Sequence, residues 1–323
     1  MSVPVPPARL GRERRRITVA AWVVATAVVI AAFHFVEWRQ ALAEMRSAKP
    51  GWLLLAVVLN ASILLIWAAL WRTILPAGKR VAIARLAEIT ALTSMVLNTL
   101  PFLVGEAAGM VLLSRRAGLG NAAALSVLAT DQLLLGIAKI LLLLLVSVLV
   151  PLPSWMRQGL FGLTATVGIL LVAMLLLAHR GRVPRAMRPA GRFARLGRLF
   201  DEWTHGLAGL RSWPRFTGAL LLELMKKGAE LGGIIAVQYA FGRVLPPAHS
   251  LLVLASLNLV TVLPVAPANL GVYEAAVFFS YRYLGLPAQD ALGMAVVQHV
   301  CYLIPLVGAG YVVMTVRQVR IRM

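Results

Sequence analysis

Runs of apolar residues long enough to cross a bilayer alternate with short polar turns along this chain. A hydrocarbon layer of about 30 Å takes roughly 20 helical residues at about 1.5 Å each. Uninterrupted candidates fall at 17–36, 52–71, 123–150, 158–178, 216–242 and 288–316. Two further stretches, 82–117 and 248–285, are apolar but interrupted. The first reads ITALTSMVLNTLPFLVGEAAGMVLLSRR from Ile89 to Arg116 and breaks between Pro101 and Gly105. The second reads LNLVTVLPVAPANLGVYEAAVFFSYRYLG from Leu257 to Gly285 and breaks at Pro264, Pro267 and Gly271. The pieces beside each break are mostly 13 to 18 residues, short for a crossing. Non-helical backbone at membrane depth survives only where protein or a wet cavity satisfies its polar groups. The pattern therefore predicts an all-α, polytopic membrane domain over 1–323, with about six full spans and two broken, re-entrant hairpins, eight or so helices in all. The alternative at each break is a pair of short, tilted spans.

Composition sharpens that reading. Of 323 residues 60% are hydrophobic, only 14% are charged, and the formal net charge is +20. A soluble nucleic-acid binder of that charge carries far more charged residues and a smaller apolar share. The basic residues instead mark loops. Arg9, Arg12, Arg14, Arg15 and Arg16 precede the first span; Arg72, Lys79, Arg80 and Arg85 follow the second; nine arginines lie between Arg180 and Arg215; Arg317, Arg320 and Arg322 close the chain. The loops at 37–50 and 151–157 are mixed or nearly uncharged. The positive-inside rule places both termini in the cytoplasm of a bacterial-type inner membrane. Phe33 to Trp38 lacks the small residues of a signal-peptide cut, so the first span is retained. Within 179–215, Phe193, Leu196, Leu199, Phe200, Trp203, Leu207 and Leu210 recur at helical spacing beside arginines. That segment reads either as a basic amphipathic linker on anionic headgroups or as a solvated loop that sets topology.

The broken stretches resemble each other. A shift of 167 residues takes Arg115 to Arg282, Gly118 to Gly285, Leu119 to Leu286 and Ala124 to Ala291. With a few gaps, Asn98, Pro101, Gly105 and Glu106 answer to Asn258, Pro264, Gly271 and Glu274. Repeat 1 then covers about 52–150 and repeat 2 about 216–316. By the loop charges, 52–71 runs outward-to-inward and 216–242 the opposite way, so the copies form an inverted repeat, a pattern of transporters.

Glu88, Glu106, Asp131, Lys139, Glu223, Lys226, Lys227, Glu230, Glu274 and Arg282 fall within or beside membrane segments. An ionised residue at mid-bilayer costs about 2.5–3.5 kcal/mol on insertion scales, so most must pair, face a cavity or lie near an interface. Glu223 with Lys227, and Lys226 with Glu230, have i,i+4 spacing and predict two self-neutralising pairs with snorkelling lysines, or a charged stripe along a headgroup pathway. Glu106 and Glu274 follow glycines where a helix resumes. They either cap that helix or hold a cationic headgroup or a proton. Asn98, Asn258 and Asn269 are expected to satisfy backbone groups freed at the breaks. Substrate contacts are expected from Glu106, Glu274, Arg115, Arg116, Arg282, Asp131, Lys226 and Lys227. Hinges are expected at Asn98, Pro101, Gly105, Pro264, Pro267, Asn269 and Gly271.

The chain shows no serine elbow, P-loop, Asp-rich motif or paired Cys/His site, and Cys301 is its only cysteine. No cofactor or metal is expected. Asn98-Thr99-Leu100-Pro101 with Gly105-Glu106, Arg116 and Gly118, then Leu263-Pro264, Pro267 to Glu274, Leu284-Gly285 and Pro305, resemble the lysylphosphatidylglycerol synthase transmembrane-region family of flippase-like proteins. The resemblance implies a polytopic domain that handles lipids. In the best-understood relatives it translocates an aminoacylated phosphatidylglycerol between leaflets, and transferring relatives add a soluble C-terminal domain. With Met323 just past the last span, lysyl transfer is not expected here. Three positions depart from the family pattern: Gly109 replaces a frequent Arg, Asp131-Gln132 an acidic-Arg pair, and Pro267-Ala268-Asn269 the usual Pro-Gly-Gly. The expected function is a lipid flippase or transporter whose partners are membrane lipids, anionic phospholipid foremost, with no nucleic acid. The alternatives are an integral-membrane transferase acting on a lipid carrier, or a non-catalytic partner of a lipid-synthesis enzyme.

Overall fold

A computed structural model of the protein describes residues 45–76, 78–100, 104–180, 213–261 and 267–322. The expected first span at 17–36, most of the basic linker at 179–215, and Pro101 and Pro264 lie outside those residues. The described residues form an all-α fold: α1 (Pro50–Ile74), α2 (Ile83–Thr99), α3 (Val104–Arg116), α4 (Asn121–Leu149), α5 (Ser154–Arg180), α6 (Trp213–Ala240), α7 (Pro247–Val260), a 3-10 turn (Pro267–Asn269), α8 (Val272–Tyr283) and α9 (Ala288–Arg322). By length and apolarity α1, α4 and α9 qualify as membrane spans. α6 is equally long, with 28 residues, but Glu223, Lys226, Lys227 and Glu230 lower its hydropathy. The helices flanking the breaks have 17, 13, 14 and 12 residues. At about 1.5 Å per residue each is shorter than the hydrocarbon layer.

Packing is organised around α1 and α6, which make the most extensive interhelical contact. Small residues permit it. A Cβ on Gly233 would stand 2.8 Å from Asn60 Nδ2, and one on Gly232 would stand 3.1 Å from Leu59. Between membrane helices, close packing of small residues replaces the hydrophobic drive available in water. One apolar cluster joins α1, α4 and α6–α9 through Leu252, Val277, Tyr281 and Met294. A second joins α1–α4 and the start of α6 through Leu70, Trp71, Leu86 and Leu113.

The contacts obey an exchange rule. α2 packs on α3 as α7 on α8, α3 on α4 as α8 on α9, α1 on α2 as α6 on α7, and α2 on α9 as α7 on α4. α1 touches α4 and α9 as α6 touches α9 and α4. The matched turns agree in detail. Gly118 and Gly285, at φ +66° and +86°, end α3 and α8 in the left-handed conformation open to glycine. After them Leu119 and Leu286 turn inward and are buried. Gly105 serves a different need: a Cβ there would lie 2.6 Å from Leu97 Cα, so only glycine lets α3 approach α2 so closely.

Candidate functional site

The ionisable residues of the apolar chain converge. α4 supplies Asp131, Gln132 and Lys139; α6 supplies Glu223, Lys226, Lys227 and Glu230; α3 supplies Glu106; and α1 supplies Trp67. Asp131 is buried, and both of its oxygens accept from Trp67 Nε1 at 3.2 Å. Lys226 Nζ stands 5.2 Å from the centroid of the Trp67 ring and donates to Glu223 Oε2 at 2.8 Å. Lys227 Nζ donates to both oxygens of Glu230 at 2.9 Å. Gln132 Nε2 donates to Glu106 Oε1 at 2.9 Å. Asp131 lies within electrostatic reach of Lys226, Glu223 and Glu106, which makes these groups one network.

Two expectations are corrected here. The ion pairs of α6 are Glu223–Lys226 and Lys227–Glu230, at i,i+3 rather than i,i+4. Both spacings share a helix face, and the i,i+3 choice lets each lysine stay folded inside the bundle. The lysines do not snorkel: Lys226 and Lys227 are each 8% exposed, and Glu223 is fully buried. Asn98 Nδ2 donates to Ser94 O at 2.8 Å and Asn258 Nδ2 to Leu254 O at 2.9 Å, each four residues back in its own helix. Asn258 also reaches Glu230 at 3.4 Å. Asn269 Oδ1 is buried without a hydrogen-bond partner.

Glu274 stands in a second network. Its Oε2 accepts from the Gly271 N–H at 2.7 Å, the expected cap on α8, and its Oε1 is 2.8 Å from His299 Nδ1. The His299 ring stacks on Tyr273 with centroids 4.1 Å apart and planes at 7°. A neutral hydrogen-bond chain continues from there. Gln298 Nε2 donates to Tyr273 Oη at 3.0 Å and Tyr281 donates to Gln298 at 3.3 Å. Gln238 Nε2 donates to Tyr281 Oη at 3.1 Å, and Ser250 donates to Gln238 at 2.7 Å.

Arg115, Arg116 and Arg282 lie apart from both networks along their helices. Arg115 and Arg116 close α3, nine and ten residues after Glu106, about 14 Å along the axis. Arg282 closes α8, where its Nη1 donates to Leu286 O at 2.6 Å and caps the turn. Arg243–Asp290 and Arg317–Glu88 are further ion pairs, each tying α9 to another part of the chain.

A sequence profile of the family described as Lysylphosphatidylglycerol synthase TM region matches residues 17–310. The chain belongs to that family. No curated protein matches it. As a member it is a multi-pass membrane protein whose family name ties it to phospholipid synthesis. Its departures from the family pattern have structural counterparts. Gln132 meets Glu106 with a neutral hydrogen bond where an Arg would form an ion pair. Gly109 lies against Thr93, whose methyl would stand 3.1 Å from an added Cβ. Ala268 and Asn269 adopt φ of +54° and +53°, left-handed conformations that glycine holds without strain.

Beyond the substrate contacts that the pattern predicts, the ionic network takes in Trp67, Gln132, Lys139, Glu223 and Glu230, and His299 joins the separate network around Glu274. Trp67 and His299 sit on apolar helices with no local motif around them. Lys139 is visible in the sequence as a membrane charge, but only packing sets it apart. It is 8% exposed, within electrostatic reach of Lys227, Glu230 and Glu223, and has no ion-pair partner among the described residues.

Proposed function

We propose that this family member moves a phospholipid or lipid-linked molecule between the leaflets of the cytoplasmic membrane, with α3, α4 and α6 holding the headgroup. The carrying observation is the largely buried network of four acids and three lysines, in which Lys139 has no ion-pair partner among the described residues while Lys226 and Lys227 each have one. A charge kept inside a membrane protein at such cost marks a substrate or ion path. Lys139 meets the lipid phosphate; Glu106 and Asp131, beside the Trp67 ring, meet a cationic part of the headgroup. Both termini face the cytoplasm. The chain's role is translocation without a covalent step, and a lipid-synthesis enzyme supplies its substrate.

The conformational part of the proposal uses the two halves. The exchange of contacts between α1–α4 and α6–α9 supports an inverted repeat, and the short α2–α3 and α7–α8 pairs support re-entrant hairpins. The 3-10 turn at Pro267–Asn269 packs on α2, so the second break touches the first hairpin. Rocking of one repeat against the other would expose the network to each leaflet in turn, with the residues about Gly105 and Pro267 to Gly271 as hinges.

The test is translocation of a fluorescent phospholipid in proteoliposomes, comparing wild type with Lys139→Gln, Glu106→Gln and Asp131→Asn. Loss of a charge-assisted contact of about 1.5–3 kcal/mol predicts a drop of about tenfold or more for each. Wild-type vesicles no faster than protein-free ones would end the translocation reading. Full activity in all three variants would end the assignment of this network as the site.

A further inference from the structure

The same shift of 167 residues that aligns Arg115 with Arg282 takes Gln132 to His299 and Asp131 to Gln298. The structure gives this arithmetic a physical meaning. In each half a glutamate opens the helix that follows the break, and the next long helix reaches across to hold it. Gln132 holds Glu106 at 2.9 Å, and His299 holds Glu274 at 2.8 Å. Equivalent positions thus carry an amide in one half and an imidazole in the other. An amide has one protonation state in water; an imidazole has two near neutrality.

The geometry around His299 leaves one place for a proton. Glu274 already accepts from the Gly271 N–H, so an ionised Glu274 requires the shared proton on His299 Nδ1. That tautomer leaves Nε2 as a bare acceptor. Nε2 is buried and has no hydrogen-bond partner among the described residues, and the residue is 2% exposed. The groups facing the ring are Glu274 and Tyr273 from α8, and Tyr302 of α9 packs on Tyr273. From α6, Glu230, paired with Lys227, is in electrostatic reach of both tyrosines. The charged groups on α2 are engaged elsewhere: Arg85 donates to Arg116 O, and Glu88 pairs far along α9 with Arg317.

From these observations we infer that the Glu274–His299 pair is a proton-binding site, and that its loading and unloading couple the proposed translocation to a proton gradient. The step is a simple one. One proton from the aqueous phase adds to Nε2, no covalent bond to carbon, oxygen or phosphorus changes, and the pair goes from one negative charge to neutral. A neutral pair crosses a change of environment more cheaply than a charged one. The half with Gln132 has no imidazole at the matched place, so this site acts on one hairpin and not on its mate. This rests on the translocation reading for its consequence, but the proton site itself is measurable without transport.

The decisive variant is His299→Gln, which gives the second half the side chain of the first and keeps a donor for Glu274. Translocation is followed in proteoliposomes with and without an imposed gradient of one pH unit. Wild type responds, by up to about tenfold for one proton carried, and His299→Gln retains basal translocation with no response. Equal responses overturn the inference, as does a wild type indifferent to the gradient. A second measurement leaves His299 in place. In a chain with His34, His179, His205 and His249 replaced by Gln, a single ¹⁵N-labelled imidazole remains and is followed from about pH 5 to 9, the range in which an imidazole titrates. Gain of a second ring proton in that range, altered by Glu274→Gln, is the expected result. An imidazole that keeps one form throughout overturns the site even if translocation is intact, and a titrating imidazole in a protein that moves no lipid sinks only the translocation reading.

Discussion

α4 and α9 occupy matched places in the two halves, yet they carry Asp131-Gln132 and Gln298-His299. Around Asp131 the interior is ionic: Glu106, Glu223 and Lys226 share its field, and Glu223 Oε1 is buried with no hydrogen-bond partner among the described residues. Around Gln298 the interior is a neutral relay of Tyr273, Tyr281, Gln238 and Ser250, in which each named side chain has a partner. A neutral, satisfied network specifies packing, because every group is already committed. An ionic network with unused valences is costly to keep unless something else fills them. The difference teaches that a shared scaffold can surround one of two matched positions with charge and the other with neutral hydrogen bonds, with His299 inserted beside Glu274 in the neutral surroundings.

The largest effect should come from breaking the ionic network. Lys226→Met leaves Glu223 buried and alone, and thermal unfolding in detergent should show a loss of about 3–5 kcal/mol, as for other halved buried pairs. The double variant Glu223→Gln/Lys226→Met should recover most of it. Equal losses in the single and double variants would mean that the pair is not the source of the cost.

The neutral relay should respond less. Gln298→Leu strips Tyr273 of its donor and Tyr281 of its acceptor, predicting about 1–3 kcal/mol of destabilisation. A change within experimental error would show that the relay is not structural. The break offers a gain. Ala268 is left-handed at φ +54°, so Ala268→Gly should stabilise by about 0.5–1 kcal/mol once the added freedom of the unfolded chain is counted. A loss at that site would show that the methyl group packs usefully. Smallest of all is the stability effect of Asp131→Asn. The amide oxygen still accepts from Trp67, so unfolding should move by less than about 1 kcal/mol while translocation falls. A large stability loss would reassign Asp131 from substrate contact to support of the network.

Much of this was legible from residue order. Apolar runs gave the spans because helical rise and bilayer thickness fix their length, and proline with glycine marked both breaks. The matched helix ends at Gly118 and Gly285 were readable, since a left-handed helix end restricts the residue type. The cap on Glu274 followed from its place after Gly271. Pairing was less legible: i,i+3 and i,i+4 partners share one face, and spacing alone could not choose between Glu223–Lys226 and Glu223–Lys227.

By itself, then, the sequence determined an all-α membrane protein, its broken segments and the presence of charges that must be sheltered, because these depend on local composition and on the cost of burying polar groups. Only the tertiary structure decided which charges meet. It brought Trp67 to Asp131 across 64 positions, left Lys139 without an ion-pair partner among the described residues, and gave Glu274 to His299 but Glu106 to Gln132. Those choices depend on how helices distant in sequence lie against one another, and a side chain's partner in an apolar interior is set by that packing.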